Sequence, residues 1–254
     1  LDFLSRHKGE PCFVNLWPDD VHTPWVHEND ETSMRQSAES FSIVLKELDN
    51  QIGRFMRGLK ELGIDNNTIV IFTGDNGPAP AFDGHRTNSL RGQKATLYEG
   101  GIRMPFIIRW PDVIPAGVTD STSVVCMVDL FPSLCSIAGV SPPGNYQLDG
   151  IDMSSVLLGR QSVDRQSPLF WEFGKTKKKR ISPHIAVREG RWKLLVDADG
   201  SRVELYDIMN DCNETRNVAR DNPEVTDTLK AKALDWFRTA YRQHATPLTY
   251  DMSE

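Results

Sequence analysis

Cysteine is sparse in this chain of 254 residues: the four, Cys12, Cys126, Cys135 and Cys212, form no Cys-x-x-Cys pair and no zinc-like spacing. A structural zinc module is therefore excluded, and the spacing gives no vote on redox compartment. Long apolar runs are absent too. No stretch approaches the ~18 residues that a membrane-spanning helix needs. Positive charge is in deficit, with a formal net charge of -6 and a pI near 5.6. That balance argues against a nucleic-acid partner, because neutralising phosphates needs a basic face. One run, Lys175 to Arg180, opposes the overall sign and reads as a solvated loop or a contact for an anionic partner. Internal repeats and low-complexity segments are also missing. What remains, 39% hydrophobic and 25% charged residues, suits a water-soluble globular chain with a real core.

Within that core-forming sequence, Cys12-Phe13-Val14-Asn15-Leu16-Trp17 is a short apolar run between Pro11 and Pro18 and predicts a buried strand. The polar loop Asp19 to Trp25 follows, with prolines that forbid regular structure. Apolar residues at Phe41, Leu45, Leu48, Ile52, Phe55, Leu59 and Leu62 recur in steps of three or four, which predicts a helix over 37–62 ended by Gly63. Thr68 to Thr73 is β-branched without polar alternation, the pattern of a strand covered on both faces in a parallel sheet. Helix followed by buried strand gives an α/β class with a mostly parallel sheet. Pro105 to Trp110 reads as another strand, and Val124 to Val128 as a further one leading into a helix capped by Asp129. Pro132 would sit in that helix's first turn and Gly139 beyond its end.

The last third changes period. Ile185 to Val187, a Glu189-Gly190 turn and Trp192 to Val196 predict a hairpin, extended by Val203 to Tyr206 after the Asp197 to Gly200 turn. Asn222-Pro223-Glu224 opens a helix whose inner face is Val225, Leu229, Ala233, Trp236 and Ala240. The expected organisation is a catalytic-domain portion over residues 1–165 and a small α+β subdomain over 166–254, with an antiparallel sheet and one helix.

Chemistry concentrates where strands end. Asp75 and Asn76, in Gly74-Asp75-Asn76-Gly77-Pro78, offer a carboxylate and an amide oxygen beyond the carboxyl end of a strand, where ligands gather in open α/β sheets. This is hard-cation chemistry, suited to calcium or magnesium. Lys94, in Leu90 to Arg103, carries a point charge that could pair with a compact oxyanion, among glycines that allow close backbone approach. His22, in the proline-framed loop, could donate a proton near neutral pH. Each motif alone is an ordinary turn or surface sequence.

Taken together, Asp20 to Trp25, Glu47 to Arg54, Thr68 to Pro78 and Leu90 to Arg103, followed by Glu204-Leu205-Tyr206-Asp207 and Asn217, resemble in order and context the sulfatase family of the alkaline-phosphatase-like superfamily. The resemblance covers nearly the whole chain. It implies an alkaline-phosphatase-like sandwich, represented here in part, and a sulfuric ester hydrolase. Asp75 and Asn76 would be metal ligands, usually for Ca2+, with Mg2+ the alternative; Lys94 would hold a sulfate oxygen and His22 would contact the ester and assist the leaving group. His85 and Arg91 lie in the right loop for substrate contacts, while Glu99 and Arg103 would brace it. The substrate would be a sulfate ester, of which a sulfated polysaccharide is one form, and the protein would be exported.

Two features of that family are not found in residues 1–254: a pair of metal-binding aspartates near the amino end, and the Cys-x-Pro/Ala-x-Arg segment whose cysteine becomes formylglycine. Cys212-Asn213-Glu214-Thr215-Arg216 has Glu where Pro or Ala belongs and stands far downstream of Lys94. The expectation is a downstream portion of a sulfatase, inactive alone, with formylglycine supplied by an upstream segment. Two other readings stay open: a non-catalytic remnant that binds sulfated glycans, and a phosphoesterase or phosphonate hydrolase of the same superfamily.

Overall fold

The computed structural model describes residues 1–19, 21, 22, 25, 37–145, 147–174 and 181–243. The Lys175 to Arg180 run falls outside the described residues. The chain forms two compact units: Leu1–Thr73 with Pro105–Asp120 and Leu157–Arg160, and Gly74–Met104 with Ser121–Val156 and Gln161–Glu254.

In the first unit, α1 (Asp2–Arg6) precedes α2 (Ala38–Glu61). Ser37 caps α2 by accepting the Ser40 N–H at 3.0 Å, and the chain leaves the helix through Gly63 at φ +67°, where a side chain would be strained. The buried stripe is Ser40, Val44, Leu48, Gly58 and Leu59, whereas Leu45 is exposed. At Gly58 a Cβ would come within 2.4 Å of Leu1, so the glycine sets how closely the chain's start lies on the helix. β1 (Val70–Thr73) then pairs with β2 (Phe106–Arg109).

The second unit contains α3 (Glu99–Ile102), α4 (Leu130–Ile137), the short α5 (Ser154–Leu157), a meander of β3 (Leu169–Glu172), β4 (Ile185–Glu189), β5 (Trp192–Val196) and β6 (Glu204–Asp207), and α6 (Pro223–Gln243). The hairpin and its helix match the sequence expectation. One face of the sheet, through Ile185, Val187, Leu194, Val196 and Leu205, packs on Leu229 and Ala233 of α6. The opposite face, through Ala186, Leu195 and Tyr206, packs on Leu97 and Tyr98, which lead into α3. An antiparallel sheet can leave one face to water; this one is covered on both, which explains the unbroken Leu194-Leu195-Val196 run.

Three sequence expectations need correction. The mostly parallel sheet is not seen: both described sheets are antiparallel, with Val70 opposite Arg109 and Thr73 opposite Phe106 in the first. An apolar run without alternation does not report strand direction, and here Phe72 and Ile107 face outward as a cross-strand pair. Cys12 to Trp17 is not a strand, and Trp17 is 89% exposed. A strand exists through its ladder, and among the described residues none pairs with this segment. Val124 to Val128 is irregular and enters a 3-10 turn at Met127–Asp129. Asp129 takes the N-cap position of α4, but its side chain makes no capping bond to that helix. Its buried carboxylate accepts the Cys126 and Ile151 N–H groups at 2.8 and 2.9 Å and the Arg165 guanidinium at 2.6 and 3.1 Å, a strut stronger than a cap. Pro132 and Gly139 take the positions expected of them.

Candidate active site

Asp75 and Asn76 occupy the bend that follows β1 in sequence. Asp75 is exposed and its Oδ1 accepts the Asn76 N–H at 2.8 Å; half-buried Asn76 donates from Nδ2 to the Gly77 carbonyl at 3.0 Å. Two adjacent hard oxygen donors, one of them anionic, fit a divalent cation that takes oxygen ligands. They are two where calcium takes six to eight. Among the described residues no group of three or more His, Cys, Asp and Glu side chains could hold a metal. The pair therefore fits part of a cation site.

Backbone contacts join this bend to the Lys94 loop. The Lys94 N–H donates to the Pro78 carbonyl at 2.9 Å, Gly77 N–H to Gly101 at 2.8 Å and Gly100 N–H to Arg91 at 2.7 Å. These approaches are possible only for glycine: a Cβ on Gly77 would lie 2.1 Å from the Gly100 oxygen, and one on Gly101 would lie 2.1 Å from the Thr96 oxygen. Lys94 sits at the corner of a Gln93–Thr96 turn. Thr96 closes it twice, its N–H donating to the Gln93 carbonyl at 3.1 Å and its buried hydroxyl accepting the Gln93 N–H at 3.1 Å and donating to the Gln93 carbonyl at 2.8 Å. Ala95 completes the turn at φ +70°, a left-handed conformation that a Cβ disfavours. Such strain gathers where a neighbouring side chain must be aimed. Asp75, Asn76 and Lys94 thus belong to one knot of backbone within the second unit.

His22 belongs to the first unit. It is exposed, and its N–H donates to the Asp19 carbonyl at 3.0 Å. The loop is pinned by Trp25, which is fully buried, donates from Nε1 to the Val21 carbonyl at 3.1 Å and tilts against Phe41 at 4.9 Å between ring centres. His85 falls in the 3-10 turn Phe82–Thr87, and its side chain lies outside the described residues.

Arg91 is more committed than its sequence context suggested. Its Nη1 donates to the Tyr206 hydroxyl at 2.6 Å and to the Glu214 carbonyl at 3.1 Å, and its guanidinium lies 3.9 Å over the Tyr98 ring. Glu204 receives both phenols, Tyr98 at 2.9 Å and Tyr206 at 2.8 Å. Burial, reinforced by that carboxylate, pushes both phenols above their ordinary range, so they stay neutral donors. Only the side of Arg91 left to solvent could meet a substrate.

Beneath the loop lies an ionic group that sequence reading missed. Lys193 of β5 is fully buried, with Nζ 2.8 Å from Glu99 and 2.9 Å from Glu214. Burial, ahead of the opposing pull of Lys193, raises the Glu214 carboxyl. The available signal was a lysine whose neighbours on both sides, Trp192 and Leu194, are large and apolar.

Comparison with known proteins agrees along the chain. The sulfatase family profile matches residues 1–140, and the profile of the N-sulphoglucosamine sulphohydrolase C-terminal region matches residues 92–238. An N-acetylgalactosamine-6-O-sulfatase of Bacteroides thetaiotaomicron is 29% identical over 252 residues, covering 89% of this chain and 47% of the relative. Human arylsulfatase A is 33% identical over 257 residues, covering 91% and 49%. A solved structure from glycosaminoglycan metabolism in Bacteroides thetaiotaomicron superposes with a TM-score of 0.74 at 28% identity, over 94% of this chain and 52% of that one. The chain spans about half the length of these relatives. The α/β architecture is that of solved sulfatases, and the chain belongs to the sulfatase family.

Proposed function

We propose that this chain carries the oxyanion- and cation-gripping part of a sulfuric ester hydrolase whose substrate is a sulfated glycan. The observation that supports it most is the backbone knot that joins Asp75 and Asn76 to Lys94. A carboxylate, an amide oxygen and an ammonium in one rigid cluster suit an anion held through a cation. The glycan is favoured because relatives are named for N-acetylgalactosamine sulfates. Export is part of the same proposal and rests on family membership; no described helix is long and apolar enough to cross a membrane.

In this reading Lys94 balances charge on the sulfuryl oxygens, and its fixed turn avoids reorganisation as charge shifts. His22 donates a proton to the departing alcohol oxygen, a role worth ~10²–10⁴ in rate. His85 and the exposed side of Arg91 contact the sugar. Asp75 and Asn76 would hold the divalent cation, Ca2+ or in its place Mg2+, which when bound polarises the sulfate group. The attacking group is assigned to the family's formylglycine, whose motif is not among residues 1–254.

The test is hydrolysis of 4-nitrophenyl sulfate and of 6-sulfated N-acetylgalactosamine by the natural polypeptide that carries this sequence. Lys94→Ala should lower kcat/KM by ~10²–10³, with Lys46→Ala, on the exposed side of α2, as the unchanged control. Full activity in Lys94→Ala would overturn the assignment.

A further inference from the structure

The family resemblance leaves Glu99 of α3 a bracing part and gives the sheet behind it none, yet the only fully buried lysine among the described residues sits in that sheet. Lys193 is the second residue of β5, opposite Arg188 on β4 and Tyr206 on β6, on the sheet face turned toward Leu97 and Tyr98. An ammonium is removed from water there only at large cost unless it is matched. Two carboxylates match it: Glu99, the first residue of α3, and Glu214, in the loop after β6. The two are also joined directly, since Glu214 Oε2 accepts the Glu99 backbone N–H at 2.6 Å. Arg103 approaches Glu99 from solvent at 3.8 Å.

What this clamp holds is the start of α3, and α3 is the strut of the site. Gly100 donates to Arg91 on the near side of Lys94, and Gly101 accepts from Gly77 next to Asn76. The contacts are too tight for a Cβ: 2.5 Å from Gly100 to the Gly92 oxygen, and 2.1 Å from Gly101 to the Thr96 oxygen. These contacts leave no slack, so a shift of Glu99 must pass to the turn that carries Lys94. Glu214 itself stands at φ +54°, a strained conformation for a glutamate, kept where the carboxylate meets both Lys193 and the α3 backbone.

We propose that Lys193 is a positioning residue for the anion site: clamped between Glu99 and Glu214, it fixes the first turn of α3 and thereby the placement of Lys94 relative to Asp75 and Asn76. The proposal rests on Lys94 being an anion ligand. It makes the four-stranded sheet the floor of the site.

The experiment is calorimetric titration of inorganic sulfate into the full natural polypeptide in calcium-containing buffer. Lys193→Met keeps the length of the side chain and leaves two facing carboxylates; sulfate affinity should fall at least tenfold. Lys193→Met combined with Glu214→Gln restores the original net charge of the group and should recover most of that loss, as should Lys193→Arg. A purely structural role would reduce the number of binding sites and leave the dissociation constant of the folded fraction unchanged. That result, in Lys193→Met, overturns the proposal. Should Lys193→Met not fold, Glu99→Gln decides: it preserves size and the N–H to Glu214, and it should weaken sulfate at least threefold, with unchanged affinity overturning the proposal. Lys94→Ala separates the two levels. Wild-type affinity in that variant removes the anion reading on which this one stands, whereas loss in Lys94→Ala with none at Lys193 or Glu99 removes the positioning role alone.

Discussion

The two described sheets are built from similar apolar runs and differ in what covers them. In the four-stranded sheet, Ile185, Val187, Leu194, Leu195, Val196 and Leu205 are buried, between α6 on one face and the Leu97–Tyr98 segment on the other. In the two-stranded sheet, Phe72 and Ile107 are 43% and 60% exposed although they sit in equally hydrophobic sequence. The contrast teaches that stability resides in what packs on a strand, because burial of apolar area supplies the driving force and the ladder alone is marginal.

The contrast is broken most directly by truncation in each sheet. Leu205→Ala should destabilise by about 2–5 kcal/mol in denaturant unfolding, the range for buried leucine; a loss under 1 kcal/mol would show that the covered sheet is not the stable part. Beside that same sheet, pH sharpens the account of the buried ionic group around Lys193. Because burial raises the Glu214 carboxyl, the native state holds that proton more tightly than the unfolded chain. The group's contribution to stability is therefore fully present below the unfolded value of 4.5 and declines as pH rises from there through the raised value. The stability of wild type relative to Glu214→Gln should fall over that rise; a rise instead would mean that attraction to Lys193 outweighs burial. A smaller effect is expected at the Lys94 turn, where Ala95→Gly relieves a left-handed alanine and should stabilise by up to about 1 kcal/mol, read as a shift in Tm. Smallest of all is Ile107→Thr in the open sheet, expected within about 0.5 kcal/mol of wild type because it leaves no cavity.

Local elements were legible wherever a single stretch of chain contains the cause. Ser37, the apolar spacing and Gly63 bound α2 to within a residue; Gly190 and Gly200 mark the turns of the C-terminal sheet; Asn222-Pro223-Glu224 marks the start of α6. Asp75, Asn76 and Lys94 were legible as candidates because their motifs are short and keep family order. The direction of β1 was not, since an apolar strand carries no record of its partner, and neither was the fate of Cys12 to Trp17. Arg91 could be read as a loop cation but not as one that Tyr206 and Glu214 hold, for those partners lie 115 and 123 residues away in sequence.

The sequence by itself determined helix ends, turns and family, because capping groups, glycine and side-chain period act over a few residues. Tertiary structure alone decided that Lys193 is buried, that Glu99 and Glu214 meet it, and that the glycines of α3 lock the Lys94 turn to the Asp75 bend. Those outcomes depend on desolvation and on contact between segments about a hundred residues apart, and the cost of burying a charge is fixed only once its partners arrive.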